Sequence, residues 1–457
     1  MLEEIRVDGF KSLNSFFLEI RPGLNILVGP NGSGKSNIVL FFEFLSRLAD
    51  NSAMQATSLV GGAGAIFSLL PDGKLKPDLT FSIKGTAYFK SRYKPGRQPQ
   101  RSFTYEYSAT IQLTSELASL TFRRQSLRLL ENKQQELPLK ESAARPAVEI
   151  IWTLSEDGKP TTCVPAADED LFVPLYYRLG GEKKFNVAEF ISDSFADELR
   201  DYCIFSALRR FIEPLEIIHE DLVQGRALNI DPNRVRQAED IASEPGIRHD
   251  GGGLAATLFY SQRNAERPDR IKFPRHYSPR YDPAFPENLV SQVEQYVRLI
   301  NDQFVKLEVD SNPFENKIRI ALIQEAGDLE GRREIRIPIS LASDGTAKWL
   351  ALTTAILSST SAFAIEEPEN FLHPHMQQEI VNLVRKVSSR RRKRMFALMT
   401  THSETLLNAV DPEEVIVVSM RDGRTRAVRP ANADELRAEI ASTGFGLGFF
   451  YFSGALE

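Results

Sequence analysis

The run Gly29-Pro30-Asn31-Gly32-Ser33-Gly34-Lys35-Ser36-Asn37 carries the densest chemistry in the chain. Gly29, Gly34, Lys35 and Ser36 satisfy the spacing G-x-x-x-x-G-K-[ST], in which backbone N–H groups turn inward around an anion. The lysine of such a loop reaches β- and γ-phosphates, and the hydroxyl after it ligates Mg²⁺. A glycine-rich turn with an incidental lysine is the competing reading, and the flanks oppose it. Residues 24–28 are an apolar run suited to a buried strand, and residues 38–45 are apolar enough for a helix packed on a sheet. Strand, glycine loop and helix start together suit phosphate binding, because the helix dipole adds to the turned-in amides. The sequence predicts a nucleoside triphosphate ligand with Mg²⁺.

Three further clusters lie far down the chain. Residues 361–365 form a short apolar strand candidate that runs into Glu366-Glu367-Pro368-Glu369-Asn370. Glu366 is placed to hold the Mg²⁺ shell, and Glu367 to polarise a water for attack on a γ-phosphate. A solvated acidic turn is the bland alternative, but the strand before the pair and Pro368 after it make the turn sharp. Glu366 stands where phosphate-loop ATPases commonly carry Asp, and one extra methylene still permits contact through a metal-bound water. His402 follows a second strand candidate, residues 397–401, where its imidazole can touch a γ-phosphate without a permanent charge. His373 and His375, separated by Pro374, lack the further ligands a metal needs and read as structural. The third cluster, Ala342-Ser343-Asp344-Gly345-Thr346, precedes a helical run over 347–357. Ser343 and Gly345 supply a small hydroxyl and a glycine at a helix start, which suits an anion and equally suits an ordinary N-cap.

In their order along the chain, these segments resemble ABC-type ATPases of the RecF, SMC and OLD kind. The resemblance rests on the glycine loop, Ala342–Thr346, the Ile-Glu-Glu-Pro-Glu-Asn-Phe-Leu-His-Pro run and the Thr-Thr-His-Ser-Glu-Thr-Leu-Leu run. Phe10-Lys11-Ser12-Leu13 looks like that family's first-strand motif. Asp250-Gly251-Gly252-Gly253-Leu254-Ala255 and the closing Phe452-Ser453-Gly454-Ala455-Leu456 resemble features of its OLD-like members. The resemblance implies an α/β fold: a RecF/OLD-like nucleotide-binding lobe with a mixed sheet and a large α+β insertion. It also implies ATP, with catalytic Glu367 and His402, nucleotide contacts from Gly29 through Asn37, and Mg²⁺ on Ser36 and Glu366. In that family the signature segment of one subunit closes the phosphate loop of another. Ser343 and Gly345 would then meet a partner's γ-phosphate, and a homodimer with two shared sites follows. Ala342 replaces the usual leucine of the signature, and no glutamine is assigned to the metal–lid link.

The 457 residues suffice for a large core, with 42% hydrophobic and 26% charged content typical of a globule. No apolar run approaches a membrane span, and no secretion signal is read at Met1 to Val7. Cys163 and Cys203 fit no metal or redox spacing and suggest a reducing cytoplasm. Residues 1–60 and 335–457 are expected to form a discontinuous nucleotide-binding domain. Residues 61–334 are expected to complete its β-lobe and add a helical insertion. Strands are expected over 79–83 and 105–113, and helices over 187–224 and 287–307. The latter places Leu289, Val293, Tyr296, Val297, Ile300, Phe304 and Leu307 on one face. Without a sustained heptad, and with prolines recurring over 268–286, no long coiled coil is expected.

The formal charge of −5 opposes a nucleic-acid-coated surface but leaves room for a local basic groove. Lys84 to Arg101 carries six cations and aromatic residues with no acid, and Arg385 to Arg394 is a second basic run. Either can neutralise phosphates of DNA, and either can be a merely solvated surface. A strand is expected over 415–418 and a turn at Arg421-Asp422-Gly423-Arg424, and no nuclease domain is expected within this tail. The leading expectation is an ATP-driven sensor or clamp, on DNA or another cue, controlling a separately encoded nuclease or other effector in prokaryotic anti-phage defence. A RecF-like repair ATPase is the second reading. A transporter ATPase subunit is the third, disfavoured by the long stretch between Ser36 and Ser343.

Overall fold

The computed structural model describes residues 1–90, 100–114, 119–132, 145–173, 186–223, 225–266, 288–326, 333–359, 362–390 and 395–455. They divide into two compact units. The first comprises Met1–Gly225, Arg394–Phe396 and Ile416–Pro430; the second comprises Arg226–Lys393, Ala397–Val415 and Ala431–Glu457.

A seven-stranded antiparallel sheet dominates the first unit. Its order is Phe16–Glu19, Leu2–Asp8, Asp78–Phe89, Arg101–Thr114, Ser119–Glu131, Val148–Leu154 and Pro160–Ala167. Alternation sets the inward face: Leu79, Phe81, Ile83, Ala87 and Phe89 of one long strand are buried, while the residues between them are not. The helix Lys35–Asp50 packs Phe41 edge-on to Phe10 at 5.1 Å and to Phe81 at 5.9 Å. Each buried aromatic of this kind contributes about 1.5–3 kcal/mol. The strand Gly23–Val28, which carries the glycine loop, pairs with Val415–Arg421, itself in a hairpin with Arg424–Val428. The turn expected at 421–424 is present, and Asp422 (φ 50°) and Gly423 (φ 70°) give it a two-residue left-handed form.

The second unit places the carboxylate cluster on parallel strands. Phe363–Glu366 lies between Arg226–Leu228 and Phe396–Thr401, parallel to both. Its residues read as a continuous apolar run because strands of this type are covered on both faces. Lys317–Ala326 centres a separate antiparallel sheet with Phe304–Asn312, Arg333–Pro338 and Glu239–Asp240. The fold is thus mixed α/β with parallel and antiparallel sheets. The longest helix among the described residues, Pro374–Arg390, has 17 residues, so they contain no long coiled coil. No helix among them is long and apolar enough to cross a membrane.

One expected element is shorter than its sequence pattern. The helix runs only from Leu289 to Arg298, and Phe304 begins a strand. A register shift between Phe304 and Lys306 leaves Phe304 and Leu307 both buried. A bulge adds one residue to the period-two pattern and so imitates helical spacing. The region 187–224 is helical as expected, in pieces: Val187–Phe195, Ile204–Ala207 and Glu213–Val223. The proline-rich stretch 268–286 lies outside the described residues.

Candidate functional site

The glycine loop follows its buried strand directly. A Cβ on Gly29 would lie 2.1 Å from the Val418 carbonyl oxygen, and one on Gly34 (φ 102°) would lie 1.9 Å from Thr425 Oγ1. Neither position admits a side chain, so the backbone packs closely on the neighbouring hairpin. Lys35 is buried, and its Nζ donates to the carbonyl oxygens of Gly29 (2.8 Å) and Pro30 (3.1 Å). Gly34 caps the helix without a side-chain bond, and no acid stands in the first turn. Ser33 Oγ is buried without a hydrogen-bond partner among the described residues. Ser36, Pro30, Asn31 and Gly32 are exposed. A cation, uncapped amides and an unsatisfied hydroxyl in one glycine turn fit a phosphate group.

A hydroxyl network that the sequence reading missed fixes this loop. Asn37 Nδ2 donates to Ser12 Oγ (2.7 Å), Ser12 Oγ bonds Thr425 Oγ1 (2.7 Å), and Thr425 Oγ1 donates to the Ser33 carbonyl (3.1 Å). Ser12 belongs to the first-strand motif and was legible as such. Thr425 had no sequence signal, because only the hairpin brings it to the loop.

In the second unit Glu366 ends its strand and Glu367 turns sharply away, at φ 42°. Left-handed backbone is costly for a glutamate, of order 1–2 kcal/mol, and persists only where neighbours enforce it. Here the Glu367 N–H donates to Thr400 O (3.2 Å) and Thr400 Oγ1 (3.1 Å). Asn370 Nδ2 donates to Glu367 Oε2 (2.9 Å), and His402 Nε2 lies 4.0 Å from Glu367 Oε1. Glu369 Oε1 accepts from Thr401 Oγ1 (2.8 Å) and the His402 N–H (2.7 Å), which fixes the base of the histidine. Glu369 Oε2 is buried and has no partner among the described residues. Glu367 and His402 therefore come together, with Glu369 and two threonines beneath them.

Ser343 caps the helix Asp344–Ser358 by accepting from the Thr346 N–H (3.2 Å). A Cβ on Gly345 would sit 2.8 Å from Phe371 O, so the signature turn abuts the turn that follows Glu367. Arg236, unremarked in the sequence, forks onto Ala342 O at 2.8 and 3.0 Å and bonds the Asp344 carboxylate. Lys348, one turn into the helix and fully buried, donates to Glu367 O at 3.0 Å. Burial pushes its ammonium down to about 8, against the pull of Glu369 and Glu367. A lone cation inside the run Ala347-Lys348-Trp349-Leu350-Ala351 was the signal available for it.

The other sequence candidates fall as follows. His373 and His375 are exposed, and no cluster of three or more His, Cys, Asp or Glu side chains that could hold a metal occurs among the described residues. Glu239 accepts from the Gly253 and Ala256 N–H groups, so a carboxylate of the chain itself caps the helix after Asp250–Gly253. Lys84 lies 3.9 Å from both Glu4 and Glu106, and Arg101 pairs with Glu131 at 2.6 Å. Arg385 pairs with Glu414 and Asp411, and Lys386 lies over the Tyr296 ring. Acids from adjacent strands and loops thus pair with Lys84, Arg101 and Arg385. Residues 91–99 and 391–394 lie outside the described residues.

Residues 188–408 match the family described as AAA domain, putative AbiEii toxin, Type IV TA system. Over that stretch the chain is similar to an AAA-family domain. Among solved structures it is similar to an SMC head bound to the C-winged helix domain of ScpA, at 15% identity. That alignment covers 95% of this chain and 99% of the other, with a TM-score of 0.48. It is also similar to the Pyrococcus furiosus Smc head with an extended coiled coil bound to the C-terminal domain of ScpA (14%, 96% and 99%, TM-score 0.45). It is similar, too, to the SMC head domain from Thermotoga maritima (14%, 94% and 98%, TM-score 0.38). No curated protein matches the chain in sequence.

Proposed function

We propose that this chain binds and hydrolyses ATP with Mg²⁺ and closes into a homodimer around the nucleotide. The observation that carries the reading is the Gly29–Asn37 turn, with Lys35 Nζ across its carbonyls, a partnerless Ser33 hydroxyl and an uncapped helix start. In this reading Lys35 and the loop amides hold the phosphates, and Ser36 and Glu366 would hold Mg²⁺, whose charge would offset that developing on the phosphates. Glu367 orients and polarises the attacking water, and His402 donates to the γ-phosphate oxygens. Ser343 and Gly345 bind the γ-phosphate of the partner's nucleotide. The nucleotide-binding domain is assigned to 1–60 with 335–457, and 61–334 completes it.

Beyond hydrolysis, we assign the closed dimer the role of a switch that signals to a separately encoded effector such as a nuclease in prokaryotic defence. The family description, with its toxin and type IV system, supports that assignment. DNA as the cue rests on the basic residues of 91–99 and 391–394, since Lys84, Arg101 and Arg385 have acidic partners. Capture of protein and nucleic acid by the Glu367→Gln protein with ATP, from its native cells, identifies effector and cue.

Hydrolysis per chain at falling protein concentration tests the core of the proposal. A two-chain site predicts a rate per chain that drops on dilution, and no hydrolysis from Lys35→Ala at any concentration. A Lys35-dependent rate per chain that stays constant on dilution rules out the shared site.

A further inference from the structure

Three features tie the start of the helix Asp344–Ser358 to the turn that carries Glu367. Gly345 lies so close to Phe371 O that no Cβ fits between them. Lys348 Nζ donates to the Glu367 carbonyl oxygen at 3.0 Å and lies 5.8 Å from the Phe371 ring centroid. Glu367 itself is held in a left-handed conformation that needs external support. A cation is a poor choice for filling this space, since burial disfavours the charged form and pushes Lys348 down to about 8. An apolar side chain of similar length packs there at lower cost, so the ammonium is explained by what it holds.

We propose that Lys348 is a positioning residue that couples engagement of the signature turn to the placement of the Glu367 carboxylate. The inference rests on the ATP-dimer reading above. Ser343 and Gly345 lie at the first turn of the helix and Lys348 just over one turn along it, so a shift of the helix start moves the Nζ. Its hydrogen bond then pulls the Glu367 carbonyl, and the left-handed turn converts that pull into rotation of the side chain. Contact with a partner's nucleotide thereby sets the general base, and hydrolysis follows closure of the dimer. Phe371, 60% exposed, and Leu341, 76% exposed, flank this lever.

Steady-state hydrolysis by the full-length protein tests the assignment, with Lys348→Met removing the cation and Lys348→Arg keeping it. Light scattering of the same changes in a Glu367→Gln background reads ATP-dependent dimerisation separately. The expected result is a kcat at least tenfold lower in Lys348→Met, with KM for ATP and dimerisation within about twofold, and substantial recovery in Lys348→Arg; a misplacement of about 1 Å has costs of this size or larger. A kcat within twofold of wild type overturns the inference, as does a parallel loss of kcat, ATP affinity and dimer. Absence of an ATP-dependent dimer with Lys348 intact overturns the dimer reading first, and leaves Lys348 nothing to transmit.

Discussion

Replacing Lys348 with methionine separates what the buried cation costs from what it does. Its ammonium is lowered from the usual 10.5 to about 8, chiefly by burial, with Glu369 and Glu367 pulling the other way. A shift of this size corresponds to about 3 kcal/mol of destabilisation while the group is charged. The unfolded chain holds more protons than the folded one between about pH 8 and 10.5, so stability rises with pH across that window. Methionine has no such dependence. Near pH 7 it relieves the desolvation and loses a charged hydrogen bond of about 1.5–3 kcal/mol, so the two proteins are of similar stability. By about pH 9.5 the wild type gains ~2 kcal/mol on the variant, or roughly 4–8 °C in Tm if the unit of about 200 residues that holds Lys348 melts by itself, and about 2 °C if the whole chain melts together. Thermal melts of nucleotide-free protein from pH 7 to 9.5 measure the difference. All other titrating groups are common to both proteins and cancel. Tm curves that stay parallel over this range mean a hydrated ammonium, and refute the burial on which the role of Lys348 depends.

Other consequences follow from single residues. Gly34→Ala places a Cβ against Thr425 at a φ of 102°, so it lowers Tm and weakens ATP binding at least tenfold, read by calorimetry. Arg236→Ala frees the Ala342 carbonyl and Asp344, and should lower kcat about tenfold while thermal melts shift by only a few degrees. Cys163 is exposed, whereas Cys203 is buried with its thiol pushed up to about 12. A thiol reagent near pH 7.5 should add one label to folded protein and two in denaturant, read by intact mass.

Much of the site could be read before the fold, because its elements are local. The strand before Gly29, the helix after Gly34, the N-cap at Ser343 and the strand before Glu366 each follow from a few consecutive residues. What escaped notice needs distant partners. Thr425 reaches Ser12 and Ser33 only because the Val415–Arg421 hairpin folds beside the loop. Arg236 reaches Ala342 across more than a hundred residues of chain. Lys348 falls inside the helical run expected over 347–357, and only its burial and its bond to the Glu367 carbonyl single it out. The helix expected to 307 failed for the opposite reason, since a bulge at Phe304 gave a strand helical spacing. In the two basic runs Lys84, Arg101 and Arg385 have acid partners, Glu4, Glu106, Glu131 and Glu414, that sit on other segments and so could not be read locally.

Enclosure of ATP by two copies of this chain is the central claim, and the molar mass of the Glu367→Gln protein tests it most directly. With saturating ATP and Mg²⁺, light scattering should give the mass of two chains, reverting to one when ATP is removed or Ser343 is changed to Arg. A protein that binds ATP with full occupancy and still scatters as a single chain contradicts it.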